Sequence, residues 1–517
     1  MPTEELGLAP PAPGPTGAGA QFDLLIVGGG INGAGIARDA AGRGLRVLLC
    51  ERGDLAQGTS SRSSRLIHGG LRYLELAEFR LVREALGERE TLMAVAPHLV
   101  RPLRFVLPHV AHMRPAWMLR AGLCLYDGLA RRTRLPASQS VALDRIAEGA
   151  AVAPGIRRGF LYSDCSTDDA RLVAVSAMDA ARHGAQVLTR TEMVEARRGP
   201  AGWEVRLRDN RDAALRACSA RVLVNAAGPW VREVAARVQG ARPKRGTLLV
   251  KGSHIVVPQF WDGEHAFLLQ NADRRVVFAM PYEMGYALIG TTDIEVEEAP
   301  ERPVILAEEL AYLCEAVNRQ LRCRLGPGDV RHAFAGVRCL ADDGKRNPSQ
   351  VTRDYFIDVD WGPGDGAAPY VAVLGGKITT YRRLAEHVMQ AIARAFPGLR
   401  PAWTATRPLP GGELQGADPG VAQRRLLEEF AFLPAPHARA LFRRHGALAW
   451  KILDGARDLE ALGRHFGAGL YEREAAYLVE SEWARSAEDI LWRRTKCGLV
   501  MSKGEVEALE SWLQPPP

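Results

Sequence analysis

Between residues 22 and 51 the chain reads FDLLIV, then Gly28-Gly29-Gly30-Ile31-Asn32-Gly33, then a helical stretch to about Arg43, then LRVLLC and Glu51. No other stretch restricts the fold as strongly. A strand, a glycine turn, a helix and a second strand make a βαβ unit, and that unit implies a parallel sheet. In the GxGxxG spacing Gly28 permits the tight turn, Gly30 lets the backbone approach a pyrophosphate, and Gly33 lets helix and strand pack closely. The helix start offers free amides and partial positive charge to phosphates. Glu51 closes the second strand, where a carboxylate can bind ribose hydroxyls. Gly44 is placed to end the helix in the left-handed conformation. The segment therefore reads as a dinucleotide site.

Three further segments decide which dinucleotide. Gly58-Thr59-Ser60-Ser61-Arg62-Ser63-Ser64 is a hydroxyl-rich loop suited to wrapping a second cofactor half. VNAAGPW places small residues, Gly228 among them, at a strand end, and LGGKITTY sets Gly376, Lys377 and Thr379 at a second helix start. A helix N-terminus aimed at the pyrimidine side of a flavin stabilises the anionic reduced ring. Dispersed cofactor-facing segments suit an extended FAD better than NAD.

The 517 residues call for two or three domains. The expected layout is α/β: a leader over 1–20, rich in Pro, Gly and Ala, and a discontinuous FAD-binding domain over 21–100, 155–245 and 330–400. An antiparallel-sheet substrate domain takes 101–154 with 246–329, its strands near 248–257, 276–280 and 286–290. After a Pro/Gly linker, PLPGGELQGADPG, the amphipathic stretches over 405–517 predict a helical C-terminal domain. Ser486 with Asp489, and Ser502 with Glu505, fit reciprocal helix capping. The eight cysteines form no CxxC pair and no zinc spacing, which suits a reducing compartment. No basic start and unbroken apolar stretch mark a signal peptide, and no apolar run is long enough to cross a membrane. A net charge of +7 favours an anionic partner: a phosphorylated substrate, an acidic lipid surface or nucleic acid.

The motifs IVGGGINGAGIARDAAGRGL, TSSRSSRLIHGGLRYLE, YSDC, DDARLV, NAAGPW, KGSHIVVP, IGTTD, GVRCL, TRDY, GGKITTYR and LWRRTK occur in order from Phe22 to the last helix. With them the chain resembles the aerobic, FAD-dependent glycerol-3-phosphate dehydrogenase family. That resemblance implies a glutathione-reductase-type FAD fold with a D-amino-acid-oxidase-type substrate domain, noncovalent FAD, and electron transfer to membrane quinone. It implies that Arg72, Tyr73, Thr291, Arg338, Arg353 and Lys377 bind substrate, and that His254 faces the same pocket. Thr59, Ser60, Ser64, His68 and Gly69 are implied on the flavin side. A phosphate dianion needs several fixed donors, which this inventory supplies. Two positions depart from the family pattern: Arg62, where a smaller or less basic residue is expected, and Cys339, in place of proline.

Oxidation of sn-glycerol 3-phosphate to dihydroxyacetone phosphate needs a base for the hydroxyl proton. Histidine has the suitable pKa, so His254 is the first expectation, with Lys377 second and Arg338 completing the catalytic set. The segment 101–134 carries seven arginines and one acid, interleaved with Trp117, Leu119, Leu123 and Leu125. It can lie on an anionic bilayer. The expectation is a bacterial-type peripheral enzyme on the cytoplasmic face of the plasma membrane, with no metal and no nucleic acid, a homodimer being left open. The rivals are a glycerol-3-phosphate oxidase using oxygen, an amino-acid oxidase, and a flavin-bound redox sensor without turnover.

Overall fold

The computed structural model describes residues 20–75, 77–130, 134–242, 245–342, 353–363 and 367–514. Of the expected leader only Ala20 is described, and it opens the first strand; residues 1–19 lie outside the described residues. That strand, Ala20–Val27, pairs in parallel with Val47–Cys50 on one side and Leu215–Asn225 on the other. Gln186–Leu188 and Tyr370–Gly375 extend the parallel run outward. The inner strands are continuous apolar runs because both sheet faces are covered. The helices Ile31–Gly42, Asp169–Arg182 and Tyr381–Ala391 cover one face, and a smaller cluster around Trp203 and Tyr370 covers the other.

Among the described residues the second sheet has ten strands. Its centre is the long strand Thr247–Pro258, flanked antiparallel by Tyr286–Gly290 and His332–Ala341. One pair departs from the antiparallel expectation: Ala266–Phe267 runs parallel to Phe105–Val106. The expected boundaries also shift. Arg158–Ser166, His332–Ala341 and the short Leu66–Ile67 fall within stretches assigned to the FAD-binding domain, yet all three hydrogen-bond into the second sheet. Their partners lie far along the chain, so local pattern could not assign them.

The C-terminal region is helical as expected, through Pro419–Glu429, Ala435–His445, Leu448–Ile452, Glu472–Ser481 and Lys503–Leu513, with a small added hairpin at His465–Tyr471. Ser502 and Glu505 exchange the predicted capping bonds, as do Ser486 and Asp489. The expected linker packs closely: Leu409 is fully buried, and its amide donates to the carbonyl of Val95 at 2.7 Å. These helices share one apolar cluster with the helices on the parallel sheet, so the region adds no separate core.

Candidate active site

A cavity of about 1090 Å³ runs from the fingerprint turn to the second sheet. Small-molecule sites span roughly 300–1,000 Å³, so this space suits an extended dinucleotide plus a small substrate. At one end it is lined by Gly28, Gly30, Glu51, Gly228 and Trp230. Gly28 sits at φ +113°, and a Cβ there would stand 2.6 Å from the carbonyl oxygen of Ala226. At Gly33 a Cβ would stand 1.9 Å from the oxygen of Gly28, so this glycine keeps helix and turn in contact and does not itself line the cavity. Both carboxylate oxygens of Glu51 accept amides, from Gly29 at 2.7 Å and Gly53 at 2.8 Å.

The middle is built by the hydroxyl loop and the second glycine turn. Thr59, Ser60, Ser63 and Ser64 line it, with Gly376 opposite at φ +96°. Ser60 Oγ accepts from the amide of Ile31 at 3.0 Å. Asn32, which sequence reasoning passed over, ties the two turns together by donating to the carbonyl of Gly375 at 3.2 Å. Its Oδ1 is buried without a partner, and the residue lines the cavity. This orphaned polar group, the close backbone approach and the length of the cavity fit FAD.

Two expected flavin contacts are corrected. The amide of Gly69 is spent on the Tyr126 hydroxyl at 2.8 Å, and Gly69 does not line the cavity. Thr379 is fully buried and also off the wall; its Oγ1 accepts from the amide of His68 at 3.2 Å, so it clamps His68. His68 itself does line the cavity, edge-on to Phe278.

At the far end the cavity meets Arg72, Tyr73, Thr291, Arg338, Arg353 and Lys377, which the structure brings together from five separate segments. Arg338 donates to Asp293 Oδ1 at 2.8 Å and to Thr291 Oγ1 at 3.0 Å, and Arg353 reaches the same Asp293 oxygen at 3.4 Å. Asp293 closes the GTTD motif, and its role was visible only once both arginines were placed. The Lys377 ammonium stands 3.6 Å over the Tyr73 ring, buried and without a well-formed hydrogen-bond acceptor. Burial lowers the pKa of Lys377 and of Arg338, with Arg353 adding to both effects. Four cations line this end of the cavity, two of them sharing the Asp293 carboxylate, an arrangement that attracts a dianion.

His254 is the main correction. The expectation placed its ring on the pocket wall, but the ring is 1 % exposed, stacked on Phe334 at 5.1 Å, and absent from the lining. Its Nε2 lies 3.0 Å from Ser64 Oγ, so it reaches the cavity only through that hydroxyl. Gly252 and His254 share a strand face by the two-residue period, and Gly252 does line the cavity; the Ser64 loop folds over the histidine. Of the two departures, Arg62 and Cys339 both border the cavity, and burial lifts the Cys339 thiol to about 11.

Burial, reinforced by cationic neighbours, lowers His68, His98 and His254 each to about 3. All three stay neutral in the folded protein, whereas an unfolded histidine titrates near 6.5. Protons therefore favour the unfolded chain as pH falls from 6.5 toward 3, costing up to about 1.4 kcal/mol per pH unit for each group. Denaturant midpoints at about pH 7 and about pH 5 check this; equal midpoints would contradict the burial of these rings.

The family model described as FAD dependent oxidoreductase matches residues 23–382, and that of the C-terminal domain of alpha-glycerophosphate oxidase matches residues 402–514. A glycerol-3-phosphate dehydrogenase of Pseudomonas aeruginosa is 51 % identical over 493 residues, covering 95 % of each chain. A D-erythritol 1-phosphate dehydrogenase of Brucella abortus is also 51 % identical, covering 95 % of this chain and 97 % of that one. The solved structure of a glycerol-3-phosphate dehydrogenase from Bacillus halodurans, complexed with FAD, superposes with a TM-score of 0.72 at 26 % identity, covering 95 % and 94 % of the two chains. The fingerprint, the cavity and both family matches place this chain in the FAD-dependent glycerol-3-phosphate dehydrogenase family.

Proposed function

We propose that the chain oxidises sn-glycerol 3-phosphate to dihydroxyacetone phosphate and passes the electrons to a membrane quinone, as a peripheral enzyme on the cytoplasmic face of the plasma membrane. The observation that carries the substrate reading is the cationic cradle of Arg72, Arg338, Arg353 and Lys377 at the end of the FAD cavity. Bound FAD supplies the hydride acceptor. The cradle anchors the phosphate, and this remote binding energy fixes the reacting carbon. Ser64 takes the hydroxyl proton and passes its own to His254 Nε2. A phosphate paired with Arg338 offsets one of the two cations that depress this imidazole, so substrate binding itself raises its basicity.

The membrane reading rests on the helix Ala116–Gly128, which turns Trp117 (70 % exposed) and Leu125 (44 %) to solvent while Leu119 borders the cavity. Arg114 precedes this helix and Arg120 lies within it. The neighbouring arginines at 131 and 132 lie outside the described residues. No helix among the described residues is long and apolar enough to cross a membrane. Trp117→Glu is expected to reduce co-flotation with anionic phospholipid vesicles about tenfold, a loss of roughly 1.4 kcal/mol, without changing turnover with a soluble acceptor dye. Unchanged flotation would remove this helix from the contact.

A second substrate, a tetritol 1-phosphate, is favoured by the Brucella relative and by polar lining residues beyond the cradle set, Gln270 and Arg274 among them. The deciding experiment is anaerobic: each substrate is added to the holoenzyme and the flavin band near about 450 nm is followed. Bleaching by sn-glycerol 3-phosphate, reversed by a quinone analogue and only slowly by oxygen, supports the dehydrogenase reading. Rapid recovery in oxygen would favour an oxidase; bleaching only by the tetritol phosphate would transfer the reading to that substrate.

A further inference from the structure

The cofactor loop over residues 53–65 meets one turn of the C-terminal region, Trp492-Arg493-Arg494-Thr495-Lys496, directly at one end and through the Asp168–Asp169 pair at the other. At the first end Asp54, fully buried, accepts from Arg493 Nε at 2.6 Å and from both terminal nitrogens of Arg494 at 2.9 Å. At the second end the amide and hydroxyl of Ser63 donate to Asp169 at 3.0 and 2.8 Å, and Arg65 pairs with the same carboxylate at 3.5 Å. Asp168, the neighbour of Asp169 and the cap of its helix, is gripped by Lys496 Nζ at 2.7 Å. A third line of contact runs through rings. Trp492 stacks on His332 at 4.1 Å, His332 lies against Phe334 at 6.0 Å, and Phe334 stacks on His254, whose Nε2 meets Ser64.

None of residues 492–496 lines the cavity; Arg493 and Arg494 reach the cavity-lining loop directly at Asp54, while Lys496 reaches it through Asp168 and its neighbour Asp169, and Trp492 through His332, Phe334 and His254. Three cations buried at one turn are a weak device for stability, since desolvation offsets most of their attraction. Their geometric effect is stronger, because a ligand-contacting residue keeps its orientation only when the shell behind it is fixed.

We propose that the turn Trp492–Lys496 is a positioning element for the active site, fixing the cofactor loop at both ends and thereby setting FAD affinity and the placement of Ser64. The two ends are far apart in sequence from the turn, so only the folded chain brings them together.

The test uses full-length Lys496→Met and Trp492→Leu, with Lys496→Arg as the conservative variant. Arg444→Met is the control: its guanidinium pairs with Glu474 at 2.7 Å within the C-terminal region and touches no loop residue. FAD titration of the apoprotein, Tm with and without FAD, and kcat and KM at saturating FAD are measured. Lys496→Met is expected to weaken FAD binding about tenfold, the usual scale for removing a supporting residue. Trp492→Leu weakens it by a smaller factor and lowers kcat with KM unchanged. In both, the Tm gain on adding FAD shrinks, and Lys496→Arg restores most of it. The control lowers Tm of apo and holo forms alike and leaves FAD affinity unchanged. If the two test variants behave as the control does, the turn is merely structural and the proposal is overturned. Trp492 is half-buried, so its variant decides the matter if Lys496→Met does not fold.

Discussion

Arg338→Leu is expected to lower kcat/KM for the phosphorylated substrate about 10³-fold, equivalent to about 4 kcal/mol. The size follows from what the substitution leaves behind. Arg338 is the nearer of two arginines on Asp293, at 2.8 Å against 3.4 Å for Arg353. Without it a carboxylate held by one longer contact faces the incoming dianion, so attraction becomes repulsion. Loss of the phosphate anchor also loosens the reacting carbon, so kcat falls together with the rise in KM. Removing the exposed carboxylate as well, in Arg338→Leu with Asp293→Asn, should recover about tenfold of the loss, a coupling of roughly 1.4 kcal/mol. FAD content is expected to stay unchanged. Steady-state kinetics within threefold of wild type would show that the phosphate binds elsewhere.

His254→Asn should separate binding from chemistry. General-base assistance contributes about 10²–10⁴-fold, so kcat is expected to drop by at least about 10² while KM moves little, because the ring is covered and does not touch the cradle directly. In wild type, kcat declines only as pH falls toward the depressed pKa of His254 in the substrate complex, where the imidazole is protonated and cannot accept the proton from Ser64; the variant loses this limb. Ser64→Ala shows the same loss if the proton travels through the hydroxyl. A turnover rate unchanged in His254→Asn under saturating substrate would shift the base to Lys377, which does stand on the wall.

The readable parts of this molecule were those where local spacing carries the physics. The strand–glycine–helix–acid order of residues 22–51 led directly to Gly28, Gly30 and Glu51 on the cavity wall, and to Gly33 packing behind it. The paired hydroxyl and carboxyl of Ser502 and Glu505 are equally local. The cradle was different in kind. Arg72, Arg338, Arg353 and Lys377 come from distant segments, and an isolated arginine has no periodicity to mark it, so only resemblance gathered them. The sharing of Asp293, the bridge from Asn32 to Gly375, and the burial of His254 behind Ser64 depend on contacts between distant segments. The stretches 158–166 and 332–341 were placed with the FAD-binding domain for the same reason: a local pattern can mark a strand but not which sheet it joins.

The apolar cluster that joins the C-terminal helices to those on the parallel sheet has a consequence for how the chain comes apart. Leu409, Phe442, Leu478 and Ile490 are buried in the same continuous interior as Leu24, Ala37 and Leu172. Cutting the chain near residue 405 would strip the sheet's covering helices of their neighbours and leave a broad oily surface in water. The two family-model segments therefore form one cooperative unit rather than detachable parts: a protease nicking the connecting segment yields fragments that stay associated, and heating gives a single transition. The position that looks in sequence like a hinge between modules is, in energetic terms, a seam sewn shut.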